Sequence, residues 1–116
     1  MDPEWLLSYC LSKEGVEETF PFDQHILVFK VLGKIFALTD VRDFSSINLK
    51  CHPEKAIQLR EEFPAVQPGF HMNKTHWNTV HLDGSISLDQ LKEWLDDSYD
   101  LVLGSVPKKT RKEAGL

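Results

Sequence analysis

Several features that are common in other protein classes are scarce in this chain. Only 2 of its 116 residues are cysteines, Cys10 and Cys51, and without Cys-x-x-Cys spacing they predict no disulfide framework. Only 6 residues are glycines, and no phosphate-binding glycine motif is present. No apolar run comes near the roughly 20 residues that a membrane-spanning helix needs. We therefore expect a cytoplasmic protein that binds no nucleotide cofactor through a known glycine motif.

Positive charge is also in deficit, and it is unevenly distributed. The chain has 18 acidic and 13 basic residues, a net charge of −5, which taken alone argues against nucleic-acid binding. Residues 42–82 are nevertheless near neutral and hold 4 of the 5 histidines, so protonation would make them basic. A basic tail begins at about residue 107. The acidic start, residues 1–4, is unlike a secretory signal.

The length of 116 residues predicts one domain, spanning 1–116, with its own apolar core. Hydrophobic periodicity, turn residues and helix caps divide the chain into the order α-β-β-β-α-β-β-α. This order predicts a two-layer α+β domain in which helices pack on one face of an antiparallel sheet. The elements are a helix over 3–13 capped by Asp2, strands over 25–31, 34–39 and 45–50, a helix over 53–63, a strand leading into the loop 73–76, a strand over 77–82, and a helix from Ser87 to Gly104.

Two patterns predict which faces are buried. In the third strand, Ile47 and Leu49 alternate with polar residues, which predicts one face on the core and one free face. In the last helix, Ser87 begins a capping box, and an apolar stripe follows at helical spacing. The stripe consists of Leu91, Trp94, Leu95, Tyr99 and Val102.

The candidate groups for catalysis or metal binding are poorly spaced. Three histidines lie five residues apart, at 71, 76 and 81, which places the last two on opposite faces of a strand. Cys51 and His52 are adjacent and would also point in opposite directions. Cys10 falls on the buried side of the first helix. We therefore expect no catalytic residue, no metal site and no cofactor, and hence no enzyme.

Residues 68–80 carry two histidines, two asparagines, a lysine and a tryptophan at a predicted hairpin. Two interpretations are open. In one, Trp77 packs in the core, Asn73 forms a left-handed turn, and the polar side chains are only exposed at its tip. In the other, Lys74 and its polar neighbours contact phosphates or base edges, while Trp77 braces the hairpin or stacks on a base.

A family resemblance extends over almost the whole chain and rests on three segments. These are GVEETFPF at 15–22 with LVFKV at 27–31 and KIFAL at 34–38; NLKC at 48–51 with PE at 53–54 and LR at 59–60; and PGFHMNK at 68–74 with HWNTV at 76–80 and SYDLV at 98–102. The chain resembles the MmcQ/YjbR family of small bacterial proteins. The resemblance implies a frataxin-like or secretion-chaperone-like fold. It also implies DNA binding through hairpin wings, which here would be the turns at 32–34, 40–43 and 73–76.

These observations support two hypotheses. The first is a non-enzymatic protein, monomer or homodimer, that binds DNA weakly through its basic and histidine-bearing hairpins. The second is a protein-interaction module with no nucleic-acid role. A contiguous apolar patch on the free sheet face would favour a protein partner, and a patch lined by lysines and histidines would favour DNA. The residues predicted to contact DNA are Arg42, Lys50, His71, Asn73, Lys74, His76, Trp77 and Asn78.

Overall fold

A computed structural model describes residues 3–70 and 72–116 and confirms the predicted α+β class. The helices are α1 (Pro3–Leu11), α2 (Pro53–Glu62), α3 (Leu88–Ser105) and α4 (Lys108–Glu113). The strands are β1 (Val16–Thr19), β2 (Ile26–Val31), β3 (Lys34–Asp40), β4 (Ser46–Lys50), β5 (Val66–Pro68) and β6 (Trp77–His81). The strands form one antiparallel sheet in the order β1-β2-β3-β4-β6-β5, and the helices pack on it.

Two elements were not predicted from the sequence. Strand β1 pairs with β2, with Val16 opposite Val31, although its sequence Val-Glu-Glu-Thr holds a single apolar residue. Helix α4 buries no residue and consists of Lys-Lys-Thr-Arg-Lys-Glu, so it lacks any apolar stripe. Its two cations in the last turn complement the helix dipole. The predicted cap Asp2 lies outside the described residues.

The apolar stripe of α3 is buried as predicted. All five of its residues are at most 8% exposed, and the Tyr99 ring meets the Phe36 ring edge-on at 5.4 Å between centroids. The Ser87 side chain caps the helix by accepting the Gln90 backbone N–H at 3.1 Å. The Gln90 side chain bonds Glu93 at 2.8 Å, so it does not complete the capping box.

Ser98 joins α3 to two strands of the sheet. Its hydroxyl donates to the Phe36 carbonyl at 2.6 Å and accepts the Lys50 backbone N–H at 2.8 Å. Phe36 is the extra residue of a bulge in β3, and Lys50 ends β4, so both groups lie where the strand ladder is interrupted. The fully buried Ser98 thus satisfies backbone groups that would otherwise be unpaired in the core.

Two adjacent carboxylates of α3 hold helices α1 and α2 in place. Asp96 accepts the Tyr9 hydroxyl at 2.6 Å and pairs with Lys13 at 2.6 Å, which ties down α1. Asp97 pairs with Lys55 of α2 at 3.1 Å. Burial alone would raise the Asp96 pKa, but the hydrogen bonds from Lys13 and Tyr9 outweigh it and lower the pKa. Asp96 and Asp97 therefore link α3 to the chain around α1 and to α2.

Within residues 3–70 and 72–116, no helix combines the length and apolarity needed to cross a membrane.

Replacing Ser98 with alanine is expected to lower the free energy of unfolding by about 2–4 kcal/mol, because each buried unpaired backbone group costs roughly 1–3 kcal/mol. Urea unfolding of the two proteins would measure the difference. Ser105→Ala is the matched control, since the Ser105 hydroxyl bonds only the Val102 carbonyl of its own helix. Equal losses in the two variants would contradict a structural role for Ser98.

Candidate functional site

The sheet face turned away from the helices, here called the outer face, follows from strand alternation. Leu27, Phe29, Ile47 and Leu49 lie in the core beneath the helices, so their neighbours along β2 and β4 face outward. The predicted free face is therefore partly covered, since several outward residues are buried. Those buried outward residues are Val28, Asn48, Trp77 and Thr79.

A loop over residues 69–76 covers part of the outer face. It leaves β5 at Gly69, whose backbone N–H donates to the Trp77 carbonyl at 2.9 Å. A Cβ atom at Gly69 would lie 2.8 Å from the Trp77 Cβ and 3.0 Å from its carbonyl oxygen. Only glycine fits this close approach without displacing the backbone.

The first half of the loop is held by two buried side chains of the outer face. The Thr79 hydroxyl accepts the Phe70 backbone N–H at 2.9 Å and donates to the Asn48 Oδ1 at 2.5 Å. The Asn48 Nδ2 donates to the Phe70 carbonyl at 3.2 Å. Both backbone groups of Phe70 are thus satisfied by strands β4 and β6, and the chain is fixed across the sheet.

The second half of the loop forms a tight turn. The Asn73 Oδ1 accepts the Thr75 backbone N–H at 2.8 Å, and the Asn73 carbonyl accepts the Trp77 N–H at 2.9 Å. Asn73 is not among the described residues with positive φ, so an Asx turn takes the place of the expected left-handed residue. Arg60 of α2 donates to the Lys74 carbonyl and supports the turn from the helix side.

Asn78 and Trp77 are placed by the fold away from any exposed contact surface. Asn78 is 3% exposed and faces the helices, where its Oδ1 accepts Arg60 Nε at 2.7 Å and its Nδ2 donates to the Ala56 carbonyl at 3.3 Å. It therefore links β6 to α2 and cannot also reach a base edge. Trp77 is 8% exposed, so it supports the hairpin and does not stack on a base. The predicted contact His71 lies outside the described residues.

Arg42 lies at the other end of the sheet from the loop turn. Strand β4 separates the two ends by about 13 Å. The Arg42 guanidinium bonds both carboxylate oxygens of Asp40, at 3.0 and 2.5 Å, and this side-chain hydrogen bonding lowers the Asp40 pKa to about 2. The charge of Arg42 is therefore balanced locally, and Arg42 does not join the other predicted contacts.

The predicted lysines Lys50 and Lys74 share one end of the sheet with Lys34, which belongs to the predicted wing at 32–34. These three lysines define what is here called the basic end. The Cys51 backbone N–H donates to the His76 carbonyl at 2.7 Å, which places the turn beside the end of β4. The β2–β3 turn, with Leu32 and Gly33 both at positive φ, brings Lys34 to the same end. The ion pairs among the described residues are Lys13–Asp96, Arg42–Asp40 and Lys55–Asp97, and none includes a lysine of the basic end.

Two further groups of cations border the basic end. Lys30 faces outward from β2 opposite Glu17, as strand alternation indicates. The C-terminal residue Leu116 packs beside the β2–β3 turn, because a Cβ at Gly15 would lie 2.7 Å from Leu116 Cδ1 and 3.4 Å from Leu32 Cδ2. The basic helix α4 is therefore carried close to the same end of the sheet.

A cleft of about 600 Å³ lies elsewhere on the outer face, toward the end of β3. Its apolar lining includes Phe22, which is 68% exposed, and Phe70, which is 47% exposed. Its polar lining includes Arg42 and its partner Asp40. Lys50 and Lys74 do not line it. The cleft residues are Phe22, Ile26, Leu38, Thr39, Asp40, Arg42, Asp43, Ser45, Ser46, Asn48, Phe70, Met72 and His81.

The two thiols are placed in surroundings that disfavour thiolate. Burial raises the pKa of Cys10 to about 12, and burial also raises the pKa of Cys51. Across 3–70 and 72–116, no group of three histidine, cysteine, aspartate or glutamate side chains is arranged to hold a metal ion.

Comparison with known proteins identifies the family of the chain. Residues 11–101 match the family model YjbR. The chain belongs to the YjbR family. Among YjbR relatives, Escherichia coli K12 YjbR is 37% identical over 108 residues, covering 92% of each chain. Escherichia coli O157:H7 YbdF is 39% identical over 98 residues, covering 84% of this chain and 80% of its own.

Solved structures of related proteins share the fold. The Deinococcus radiodurans protein DR2400, with a DUF419 domain, superposes with a TM-score of 0.91 at 42% identity, covering 97% of this chain and 87% of that one. A Pseudomonas syringae protein gives a TM-score of 0.75 at 27% identity, covering 88% and 99%. The names of these YjbR relatives and structures state no activity, ligand or partner.

Thr79→Val should release the first half of the loop, because it leaves the Phe70 N–H and the Asn48 Oδ1 unpaired. We expect a loss of about 1–3 kcal/mol in unfolding free energy and faster hydrogen exchange at the Phe70 amide. Thr19→Val makes the same change in the edge strand β1 and should leave that exchange rate unaltered. An unchanged Phe70 rate in Thr79→Val would show that another contact holds the loop.

Both thiols should react slowly in the folded protein at pH 8, since a raised pKa leaves little thiolate. With an aromatic disulfide reagent, we expect the native protein to react at least about tenfold more slowly than the urea-unfolded chain. A native thiol that reacts as fast as in the unfolded chain would contradict the assigned burial.

Proposed function

We propose that this YjbR-family protein is a non-enzymatic DNA-binding protein that contacts the phosphate backbone through its basic end. The observation that carries the proposal is that Lys34, Lys50 and Lys74 come from separate elements to one end of the sheet, outside every ion pair of the described residues. Cations that have no local carboxylate partner can neutralise phosphates and release bound counterions.

The geometry of the loop turn supports contacts to phosphate rather than to particular bases. The Asn73 Oδ1 already accepts the Thr75 N–H, so the Nδ2 donor is the group that this side chain offers most readily to a ligand. Lysine adds a compact positive charge on a flexible side chain. It has no hydrogen-bond acceptor and lacks the planar guanidinium of arginine. A set of donors without paired acceptors fits phosphate oxygens and carries little sequence information.

The overall acidity of the chain is compatible with this proposal because part of the negative charge is paired within the helix layer. Asp96 and Asp97 of α3 pair with Lys13 and Lys55, and Asp97 also lines a small cavity together with Lys50. The net charge of −5 still opposes long-range attraction. We therefore expect weak binding that falls steeply with salt.

The absence of an enzymatic activity is part of the same proposal. Its support is that both thiols have raised pKa values caused by burial, which makes them poor nucleophiles. Asn78 and Asn48 are committed to internal hydrogen bonds, so these two polar side chains are not available to a reaction site.

Lys74→Ala should weaken binding to every DNA sequence by a similar factor. A unit charge at 4 Å in water corresponds to about 1 kcal/mol, so we expect about a fivefold loss. The slope of log affinity against log salt should become shallower by about 0.9. Fluorescence anisotropy with two labelled duplexes of unrelated sequence would measure both quantities.

The control for this experiment is Lys92→Ala. Lys92 is an exposed lysine of α3 whose Nζ lies 5.3 Å from the Tyr9 ring centroid, on the helix layer. The Lys92→Ala substitution removes the same charge but should leave the affinity for DNA and the salt slope almost unchanged. If both variants weaken binding equally, the protein attracts DNA through its whole surface and the basic end is not a site.

The cleft favours a second candidate function, binding of a protein partner on the outer face. Apolar side chains form much of its lining, and Phe22 and Phe70 remain exposed at its rim. Exposed aromatic residues beside a cleft are typical of surfaces that bind other proteins. This function uses different residues from the DNA proposal, so the two can be tested separately.

A further inference from the structure

The cleft on the outer face has an uneven charge at one end. Three carboxylates, those of Asp23, Asp40 and Asp43, surround the single guanidinium of Arg42. The side-chain hydrogen bond with Asp40 is the largest cause of the raised Arg42 pKa, and Asp23 and Asp43 add to it through their charges. Asp40 thus balances the charge of Arg42 through two guanidinium nitrogens, and the carboxylates of Asp23 and Asp43 leave negative charge in excess near this end of the cleft.

Three of the other polar side chains of the cleft, those of Thr39, Asn48 and His81, are already paired inside the protein. The Thr39 hydroxyl donates to the Ser46 carbonyl at 2.7 Å, and Asn48 bonds the Phe70 backbone. The His81 Nε2 lies 3.1 Å from the Gln67 Oε1. These groups offer little to an incoming ligand, so the carboxylates are the main polar feature that an occupant would meet.

Asp43 is the carboxylate best placed to meet a ligand. It is exposed, and its Oδ1 accepts the Ser45 backbone N–H at 3.1 Å. None of the hydrogen bonds found among the described residues involves its Oδ2. Asp40, by contrast, holds Arg42 with both oxygens.

The apolar part of the cleft favours an occupant with apolar side chains. Ile26, Leu38 and Met72 line it, and the exposed rings of Phe22 and Phe70 extend the apolar surface beyond its rim. An occupant that covers both rings must reach outside the cleft, which suits a chain segment better than a compact small molecule.

We propose that the cleft binds a short segment of a partner protein in which a lysine or arginine lies beside apolar side chains. The inference rests on the second candidate function and adds the chemistry of the partner. The apolar side chains would cover Phe22 and Phe70, and the cation would approach Asp43. Charge complementarity of this kind fixes which segments bind more than how tightly they bind.

Three capped tetrapeptides of matched shape test this inference: acetyl-Leu-Lys-Phe-Leu-amide and its counterparts with glutamine or glutamate in place of lysine. Each is titrated into the ¹⁵N-labelled full chain at pH 7.5 and low salt. We expect the lysine peptide to shift the Phe22, Ile26 and Leu38 amides. It should bind about fivefold more tightly than the glutamine peptide, the effect of one unit charge at 4 Å in water. The glutamate peptide should bind most weakly.

Asp43→Asn should remove the preference for lysine without altering the turn, because an asparagine Oδ1 can also accept the Ser45 N–H. Asp100→Asn, on the exposed side of α3, makes the same charge change and should keep the preference. Equal affinity for the lysine and glutamine peptides would overturn the inference but leave protein binding standing. Shifts outside the cleft would reject both the inference and the second candidate function. The absence of shifts at about 10 mM peptide would reject both as well, because binding would then be weaker than the millimolar range.

Discussion

The buried pair Asn48 and Thr79 fixes the part of the molecule on which both candidate sites depend. By holding both backbone groups of Phe70, the pair lays the loop 69–76 across the outer face of the sheet. The first half of the loop then forms a wall of the cleft, and the second half brings Lys74 to the basic end. Gly69 permits the bend, and Arg60 supports the far turn from the helix side.

Internal pairing of charges explains how an acidic chain can still offer an anion-binding surface. Asp96 of α3 bonds Tyr9 and Lys13, and Asp97 pairs with Lys55, so both carboxylates help to hold the helix layer together. Arg42 is neutralised by Asp40 within its own turn. The turns that carry Lys34 and Lys74 contain no carboxylate, and Lys50 at the end of β4 is in none of the ion pairs among the described residues.

Local sequence patterns predicted most of the fold but only part of the site. The stripe of α3 and the burial of Ile47 and Leu49 in β4 were confirmed because each depends on regularly spaced apolar residues, whereas Asn48 on the predicted free face of β4 is also buried. Strand β1 and helix α4 carry almost no apolar signal; β1 forms through pairing with β2, and α4 buries no residue. Asn78 was assigned outward because a polar residue in a hairpin is usually exposed, whereas here Arg60 and α2 supply partners for it. The cleft joins loops distant in sequence, so no single motif predicts it.

The central claim is that DNA and a protein partner would meet different ends of the sheet. The most direct test is to titrate the ¹⁵N-labelled protein with a short duplex at low salt and record amide shifts. The account predicts shifts confined to the β2–β3 turn, the end of β4 and residues 73–76, and their loss as salt is raised. Shifts centred on Phe22, Ile26 and Leu38, or no shifts at all, would contradict it.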